Sequence, residues 1–140
     1  MKKILYFIIP VAMIAIAASF FNGQSTTAYS GSGSTAENCL IKPEKFIEAD
    51  KNNAVILDVR TQREYEYGHL EGAILIDIYS RDFKDKIKQL DKSKKYYVYC
   101  KTGIRSRSAV GYMRQNGFKD VCDLQGGINY LARAGVELVR

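Results

Sequence analysis

Residues 96–106 read YYVYCKTGIRS and combine a strand signal, a loop and the start of a helix in one short stretch. The run Tyr96–Tyr99 is apolar and rich in β-formers, whereas Ala109 and Met113 further along have the spacing of one helix face. Cys100 therefore lies where a strand is predicted to end and a loop to lead into a helix. This order of elements is typical of α/β proteins, in which sites lie at the carboxyl ends of strands.

The predicted loop has the features that make a cysteine nucleophilic. Backbone N–H groups and the positive end of the helix dipole converge at a helix N-terminus, and Lys101 and Arg105 add two cations. Cysteines in such surroundings have pKa values of about 3.5–7.5 instead of about 8.5. Without that loop, Cys100 would more often be an inert core residue. With it, the stretch predicts a reactive thiolate beside a cradle for an anion.

Composition limits the classes of function. The chain has 140 residues, which suits one domain, and a formal net charge of +6 to which Lys2 and Lys3 contribute. The basic residues are interspersed with acids, which argues against a nucleic-acid partner. The densest basic stretch, residues 84–95, is interpreted as a solvated amphipathic helix with its loop, and an anion- or partner-docking surface is the alternative. Three separated cysteines and one histidine lack the spacing of metal ligands, so neither metal nor cofactor is expected.

The N-terminus has the pattern of an export signal. Lys2 and Lys3 precede Ile4–Phe21, an uncharged apolar run that is slightly long for a signal h-region and at the lower limit for a membrane span. The folded domain is therefore expected in the periplasm or another extracytoplasmic compartment, with membrane contact only if the segment is retained. The predicted organisation is a signal peptide or anchor over 1–28, a flexible Gly/Ser linker over 29–38 and a domain over 39–140.

Beyond the linker, short apolar runs alternate with helix-like segments. Strands are predicted over residues 39–41, 54–57, 73–76, 96–99 and 121–124. Helices are predicted after Pro43, after Thr61 with Glu64 as its capping partner, around 83–90, over 105–115 and over 127–134. This alternation predicts an α/β fold, a five-stranded mostly parallel sheet with helices on both faces.

Three segments resemble motifs of the rhodanese-like domain family, and the resemblance as a whole spans about residues 39–134. Leu57–Arg60, followed by Glu64-Tyr65 and by Gly68–Ala73, is similar to the upstream signature of the family; Cys100–Ser106 is similar to its active-site loop, and Leu124–Gly127 to its closing glycine pair. With the export signal, the chain resembles small single-domain periplasmic thiosulfate sulfurtransferases. The resemblance implies that Cys100 takes sulfur from a small anionic donor such as thiosulfate, forms a persulfide, and passes the sulfur to a thiol or to cyanide.

The resemblance also implies roles for particular residues. Cys100 is the expected nucleophile, and the expected substrate-binding loop consists of Lys101, Thr102, Gly103, Ile104, Arg105 and Ser106. Asp58 and Arg60 are expected to support the site. Arg105 has two alternative roles, as a substrate cation or as a clamp to an acid such as Asp58 or Glu64. The resemblance implies that it bonds inward and shapes the loop, which leaves Lys101 as the freer contact for an anion. His69 is interpreted as a structural turn residue more readily than as a base.

A disulfide between Cys39 and Cys122 also follows from the resemblance. These residues lie in the first and last predicted strands, which are neighbours in the rhodanese arrangement, and an oxidising compartment permits the bond. Two unpaired buried cysteines remain the alternative.

Other functions compete with a sulfurtransferase. The first alternative is a non-catalytic module that binds anions or a partner, and the second is a relay that exchanges persulfide with a periplasmic protein. A phosphatase or arsenate reductase is disfavoured, because the related phosphatase loop has five residues between Cys and Arg, whereas this loop has only Lys101–Ile104.

Overall fold

The computed structural model describes residues 39–140. The predicted signal peptide or anchor over residues 1–28 and the predicted linker over 29–38 lie outside the described residues. Between residues 39 and 140, no helix combines the length and the apolar character that a membrane span requires.

Strands and helices alternate along the described part of the chain. The strands are β1 (Leu40–Ile41), β2 (Ala54–Asp58), β3 (Ile74–Leu75), β4 (Lys95–Tyr99) and β5 (Asp120–Leu124). The helices are α1 (Pro43–Glu48), α2 (Gln62–Tyr67), α3 (Phe83–Lys88), α4 (Ile104–Gln115) and α5 (Gly127–Arg133). The alternation predicted from the sequence is confirmed, with the ends of several elements displaced by one or two residues.

The strands form one sheet in the order β1-β5-β4-β2-β3, and each pairing between neighbours is parallel. Strand β4 is central. Its Tyr99 pairs with Asp58 of β2, and its Val98 pairs with Asp123 of β5. Because every strand runs in the same direction, the loops after β2, β4 and β5 meet at one edge of the sheet. The α/β fold with a five-stranded sheet is thus confirmed, and its described part is parallel throughout.

Two apolar clusters fill the two faces of the sheet. On one face α3 and α4 pack against β2, β4 and β5, and the buried Met113 and Ile87 belong to this cluster with Cys100. On the other face α1 and α5 cover the sheet through Phe46 and Leu131. Burial on both faces explains why β2 and β4 read as continuous apolar runs.

Local capping signals set the starts of the helices near the site. Pro43 occupies the first turn of α1, where its missing N–H costs nothing. Helix α2 begins with a capping box, in which the Thr61 side chain accepts from the Glu64 N–H and the Glu64 carboxylate accepts from the Thr61 N–H. Gly103 precedes α4 with a φ of 97°, a backbone conformation that favours glycine.

Candidate active site

Cys100 lies between the end of β4 and the start of α4, with its side chain fully buried. Its Sγ accepts a hydrogen bond from the Gly103 N–H at 3.1 Å, and the Ser106 Oγ lies 3.6 Å away. Burial raises the pKa of the thiol, but hydrogen bonds from Ser106 and from the Thr102 and Gly103 backbone outweigh it, so the pKa falls below its usual value. The loop therefore favours a thiolate, and Cys100 is the free cysteine of the described region.

Ser106 connects the cysteine to a buried acid on the neighbouring strand. Its Oγ lies 2.6 Å from Oδ1 of Asp123, which is only 4% exposed. Burial raises the pKa of Asp123, against the smaller opposing effects of Ser106 and of two nearby arginines. Asp123 was missed at the sequence level, because one acid in an apolar strand has no local motif. The only local signal was its position in the last strand, just before the closing glycine pair.

Arg105 is held by Glu64 and does not point freely at a substrate. Its Nη1 and Nη2 each donate to one Glu64 carboxylate oxygen at 2.7 Å. The pair lowers the pKa of Glu64 to about 2 and raises that of Arg105. Of the two roles considered for Arg105, the structure shows the clamp. The same Glu64 closes the capping box of α2, so this carboxylate links the upstream motif to the cysteine loop.

Asp58 and Arg60 form a buried pair after β2. The Asp58 carboxylate accepts from the Arg60 backbone N–H at 2.9 Å and from its Nη2 at 2.6 Å. Arg60 Nη2 also donates to the Gly68 carbonyl, and its guanidinium lies 5.5 Å from the Tyr99 ring centre. The pair thus fixes the position of the segment that packs against Tyr99, the residue before Cys100. Among the hydrogen bonds of the described residues, none joins Asp58 or Arg60 to the sulfur.

The closing glycines place α5 against the cysteine loop. The Ile128 N–H donates to the Cys100 carbonyl at 2.9 Å, and the Asn129 N–H donates to the Lys101 carbonyl at 3.3 Å. A Cβ on Gly127 would lie 2.4 Å from the Cys100 carbonyl oxygen, so only glycine permits this approach. The loop carbonyls are turned toward α5, which leaves the loop N–H groups free to face the sulfur.

The remaining loop side chains face solvent. Lys101 and Thr102 are exposed, and the Ile104 side chain is 76% exposed. Tyr79, which is 71% exposed, lies near Arg105 with 5.8 Å between its ring centre and the guanidinium carbon. The rim of the candidate site therefore combines a cation with apolar and aromatic surface.

His69 lies at the start of the segment that follows α2, and its contacts in the described residues are with Tyr65 and Val139. Its ring stacks on Tyr65 with 3.6 Å between centres, and its Nδ1 lies 3.0 Å from the Tyr65 carbonyl oxygen. Its backbone bridges to Val139. These contacts are those of a structural turn residue.

Cys39 and Cys122 are joined by a disulfide, the pair that the resemblance implied. Their Cα atoms are 4.6 Å apart, because β1 and β5 are neighbours in the sheet. The bond connects Cys39, the residue before the two-residue edge strand β1, to the strand that carries Asp123.

Comparison with known proteins agrees with this geometry. The family model of the rhodanese-like domain matches residues 43–134, and the chain belongs to that family. A rhodanese-related protein from Thermoplasma volcanium has a similar structure, with a TM-score of 0.66 and 32% identity over 72% of this chain and 97% of that one. A rhodanese-like domain protein from Staphylococcus aureus is similar with a TM-score of 0.62 and 27% identity, over 73% and 99% of the two chains.

Curated relatives correct the expected enzyme. A protein from Cytophaga hutchinsonii is 43% identical over 92 residues, and one from Bacillus licheniformis is 36% identical over 97; both are named tRNA uridine(34) hydroxylase. Each match covers 63% of this chain, which spans only 30% and 29% of the two relatives. The expectation of a thiosulfate sulfurtransferase was therefore wrong. The physical reason is that the cysteine loop is compatible with sulfur transfer in general and does not identify the donor.

Proposed function

We propose that this protein is a sulfurtransferase that carries sulfane sulfur on Cys100 as a persulfide. The observation that supports it most is the position of the buried Sγ, which accepts from the Gly103 N–H and lies beside the Ser106 hydroxyl at the start of α4. This arrangement stabilises negative charge on sulfur before and after transfer. Membership of the rhodanese-like family supports the same chemistry.

Sulfur transfer needs two displacement steps. The Cys100 thiolate attacks the outer sulfur of a donor persulfide, a new S–S bond forms, and the donor's S–S bond breaks to release its thiolate. An acceptor thiolate then attacks the outer sulfur of the Cys100 persulfide, and Cys100 leaves as a thiolate. Each leaving group is a stabilised anion, so the loop has to hold negative charge and needs no strong base.

The donor is proposed as a persulfide and the acceptor as a thiol, both outside the cytoplasm and each either a small molecule or a group on a partner protein. The N-terminal pattern of Lys2, Lys3 and the apolar run supports export, and the Cys39–Cys122 disulfide suits an oxidising compartment. Fractionation of cells that express the full chain tests this location. Protein in the periplasmic or membrane fraction, with the disulfide intact, agrees with it, whereas reduced protein in the cytoplasm contradicts it.

Intact-mass analysis of the full chain after treatment with glutathione persulfide tests the chemistry. We expect a gain of one sulfur atom on Cys100, its removal by cyanide as thiocyanate, and no gain in Cys100→Ser. The matched control is the double variant Cys39→Ser/Cys122→Ser, which should still gain sulfur on Cys100. A folded protein with free Cys100 and no adduct would favour the non-catalytic binding module instead.

A part in tRNA uridine 34 hydroxylation is a second candidate, which rests on the names of the curated relatives. The matched region covers less than a third of each of those proteins, so any such activity of this chain would have to come from the rhodanese-like domain alone. Incubation of the full chain with tRNA in air-saturated buffer, with dioxygen as the oxidant, followed by nucleoside mass spectrometry, tests it. Hydroxylated uridine 34 that depends on Cys100 would support this candidate, and unmodified tRNA would exclude it for this chain alone.

A further inference from the structure

The Ser106 hydroxyl bridges two groups that each compete for its single proton. Its Oγ lies 2.6 Å from Asp123 Oδ1 and 3.6 Å from Cys100 Sγ. A hydroxyl has one hydrogen to donate and can accept through its lone pairs. When Asp123 is ionised, the short contact to Oδ1 takes that hydrogen, and the oxygen turns lone pairs toward the sulfur. When Asp123 is protonated, the acid donates to Ser106 and the hydroxyl can donate to the sulfur.

Asp123 has the environment of an acid that changes its protonation state. Its side chain is 96% buried, and its Oδ2 has no hydrogen-bond partner among residues 39–140. The residue also lines an open pocket of about 460 Å³ together with Leu40 of β1 and Val110 of α4. A buried carboxyl with an unpaired oxygen holds a proton more readily than an exposed one.

The charged groups around the two ends of this bridge are few. Helix α4 faces Asp123 with Arg107 and Arg114, which favour its ionised form without forming an ion pair within 4 Å. The register partners on the flanking strands, Val98 and Leu40, do not titrate. Near Cys100, the Arg105 charge interacts with the sulfur but is already paired with Glu64. Each end of the bridge therefore carries one titratable group, Cys100 or Asp123, and the Ser106 hydroxyl lies between them.

We propose that Asp123 is a positioning residue that controls the charge on Cys100 through Ser106. As the thiol ionises, its proton passes to the Ser106 oxygen while the Ser106 hydrogen passes to Asp123 Oδ1. One S–H bond breaks and one carboxyl O–H bond forms, so the negative charge moves from Asp123 to Cys100 and the hydroxyl is restored. The reverse transfer follows when the cysteine is reprotonated. The inference rests on the proposed role of Cys100 as the reacting sulfur.

The test is the pH profile of Cys100 alkylation by iodoacetamide, measured on the full chain with the disulfide intact. Replacing Asp123→Asn gives Ser106 a permanent amide donor, so its hydroxyl is free to donate to the thiolate. The apparent pKa for alkylation should fall by about one unit or more. The matched control is Asp120→Asn on the same strand, an exposed acid 3.9 Å from Lys95, which should leave the profile unchanged.

Repeating the Asp123→Asn change in a Ser106→Ala protein distinguishes an effect through the Ser106 hydroxyl from direct charge repulsion between Asp123 and Cys100. In Ser106→Ala the same Asp123→Asn change should shift the apparent pKa by less than half as much, because only the direct charge effect remains. An equal shift in both backgrounds, or no shift in either, would overturn the proposal. Alkylation does not involve sulfane sulfur, so this result is independent of whether the protein accepts a persulfide.

A measurement on the unmutated acid covers the case in which Asp123→Asn does not fold. The carboxyl ¹³C shift of Asp123 is followed against pH in the unmodified protein and in Cys100→Ser. We expect the pKa of Asp123 to differ by about one unit between the two proteins, because removing the thiol removes its proton partner. Identical titration of Asp123 in both proteins would contradict the shared proton.

Discussion

Arg105 shows how a residue that looks like a substrate cation serves mainly to shape the loop. Both terminal nitrogens of its guanidinium are engaged by Glu64, 41 positions earlier in the chain. The pair is only partly exposed, with side-chain exposures of 18% and 27%, so solvent screens it less than a surface pair. The cation left free on this loop is Lys101, and it remains our proposed contact for an anionic donor.

Replacing Arg105→Lys should weaken the loop, because an ammonium group cannot reproduce a planar two-point contact. We expect the free energy of unfolding in urea to fall by about 1–2 kcal/mol. The alkylation rate of Cys100 at pH 7 should fall as well, because the loop N–H groups lose their fixed orientation. Arg63→Lys is the matched control, since Arg63 is exposed on α2 and its guanidinium carbon lies 5.8 Å from the Tyr67 ring centre. Equal free energies of unfolding for the two variants would show that the Arg105–Glu64 pair contributes nothing to stability.

Glu64 makes part of the stability dependent on pH. Because its pKa is lowered to about 2 in the folded protein, its stabilisation is fully present above the unfolded value of 4.5 and is lost as the pH falls toward 2. Glu64→Gln should therefore be less stable than the unmodified protein by about 1–3 kcal/mol at pH 6, and the gap should close between pH 4.5 and 2. Urea unfolding over this range measures it, with the exposed Glu66→Gln as control. A gap that does not change with pH would assign the effect to packing.

At the scale of elements, the start of α5 lies directly against the cysteine loop. The start of α5 donates to the Cys100 and Lys101 carbonyls, and it reaches them because Gly127 carries no side chain. The N-terminal end of α4 makes the other half of the site, because the N–H of Gly103, the residue before the helix, lies 3.1 Å from the sulfur. The cysteine is thus held between two helix starts at the end of β4.

Gly127→Ala should displace the loop. The added carbon would meet the Cys100 carbonyl oxygen at 2.4 Å and the Lys101 carbonyl carbon at 2.7 Å, at a backbone φ of 60°. We expect a loss of about 2–4 kcal/mol in the free energy of unfolding and a slower alkylation of Cys100. Gly135→Ala is a matched control, because its φ is 91° but nothing lies within 4 Å of the new carbon. If both variants lost the same stability, backbone strain alone would account for the effect.

At the scale of the whole molecule, the disulfide secures the edge of the sheet. Strand β1 has two residues and pairs only with β5, so it has few backbone hydrogen bonds to hold it. The Cys39–Cys122 bond closes a segment of 83 residues that contains most of the sheet. It lies on the face of the sheet opposite Cys100, since Cys122 belongs to the cluster under α1 and α5.

Reducing this bond should lower stability without removing the nucleophile. We expect dithiothreitol to reduce the free energy of unfolding by about 2–5 kcal/mol. The double variant Cys39→Ala/Cys122→Ala should have the lower stability from the start and show no response to the reductant. Three thiols that alkylate in the folded protein without reduction would contradict the bond itself.

Much of this architecture could be predicted from local patterns in the sequence. Apolar runs such as Ala54–Leu57 and capping signals such as Thr61 with Glu64 depend on residues close in the chain, and the structure confirms the elements they predict. Family motifs placed Cys100 and its loop between a strand and a helix, where the structure has them. The motifs did not identify the sulfur donor, because the loop chemistry is shared by proteins that act on different substrates.

The sequence alone determined the order of the elements, the identity of the loop and the position of its cysteine, because each depends on interactions between near neighbours. Only the tertiary structure decided which acid holds Arg105, that Asp123 lies behind Ser106, and how closely Gly127 approaches Cys100. Arg105 and Glu64 are 41 positions apart in the chain, and Ser106 and Asp123 are 17 positions apart. They meet because β5, β4 and β2 are neighbouring parallel strands. Strand order sets which distant side chains meet, and no local pattern in the chain contains that information.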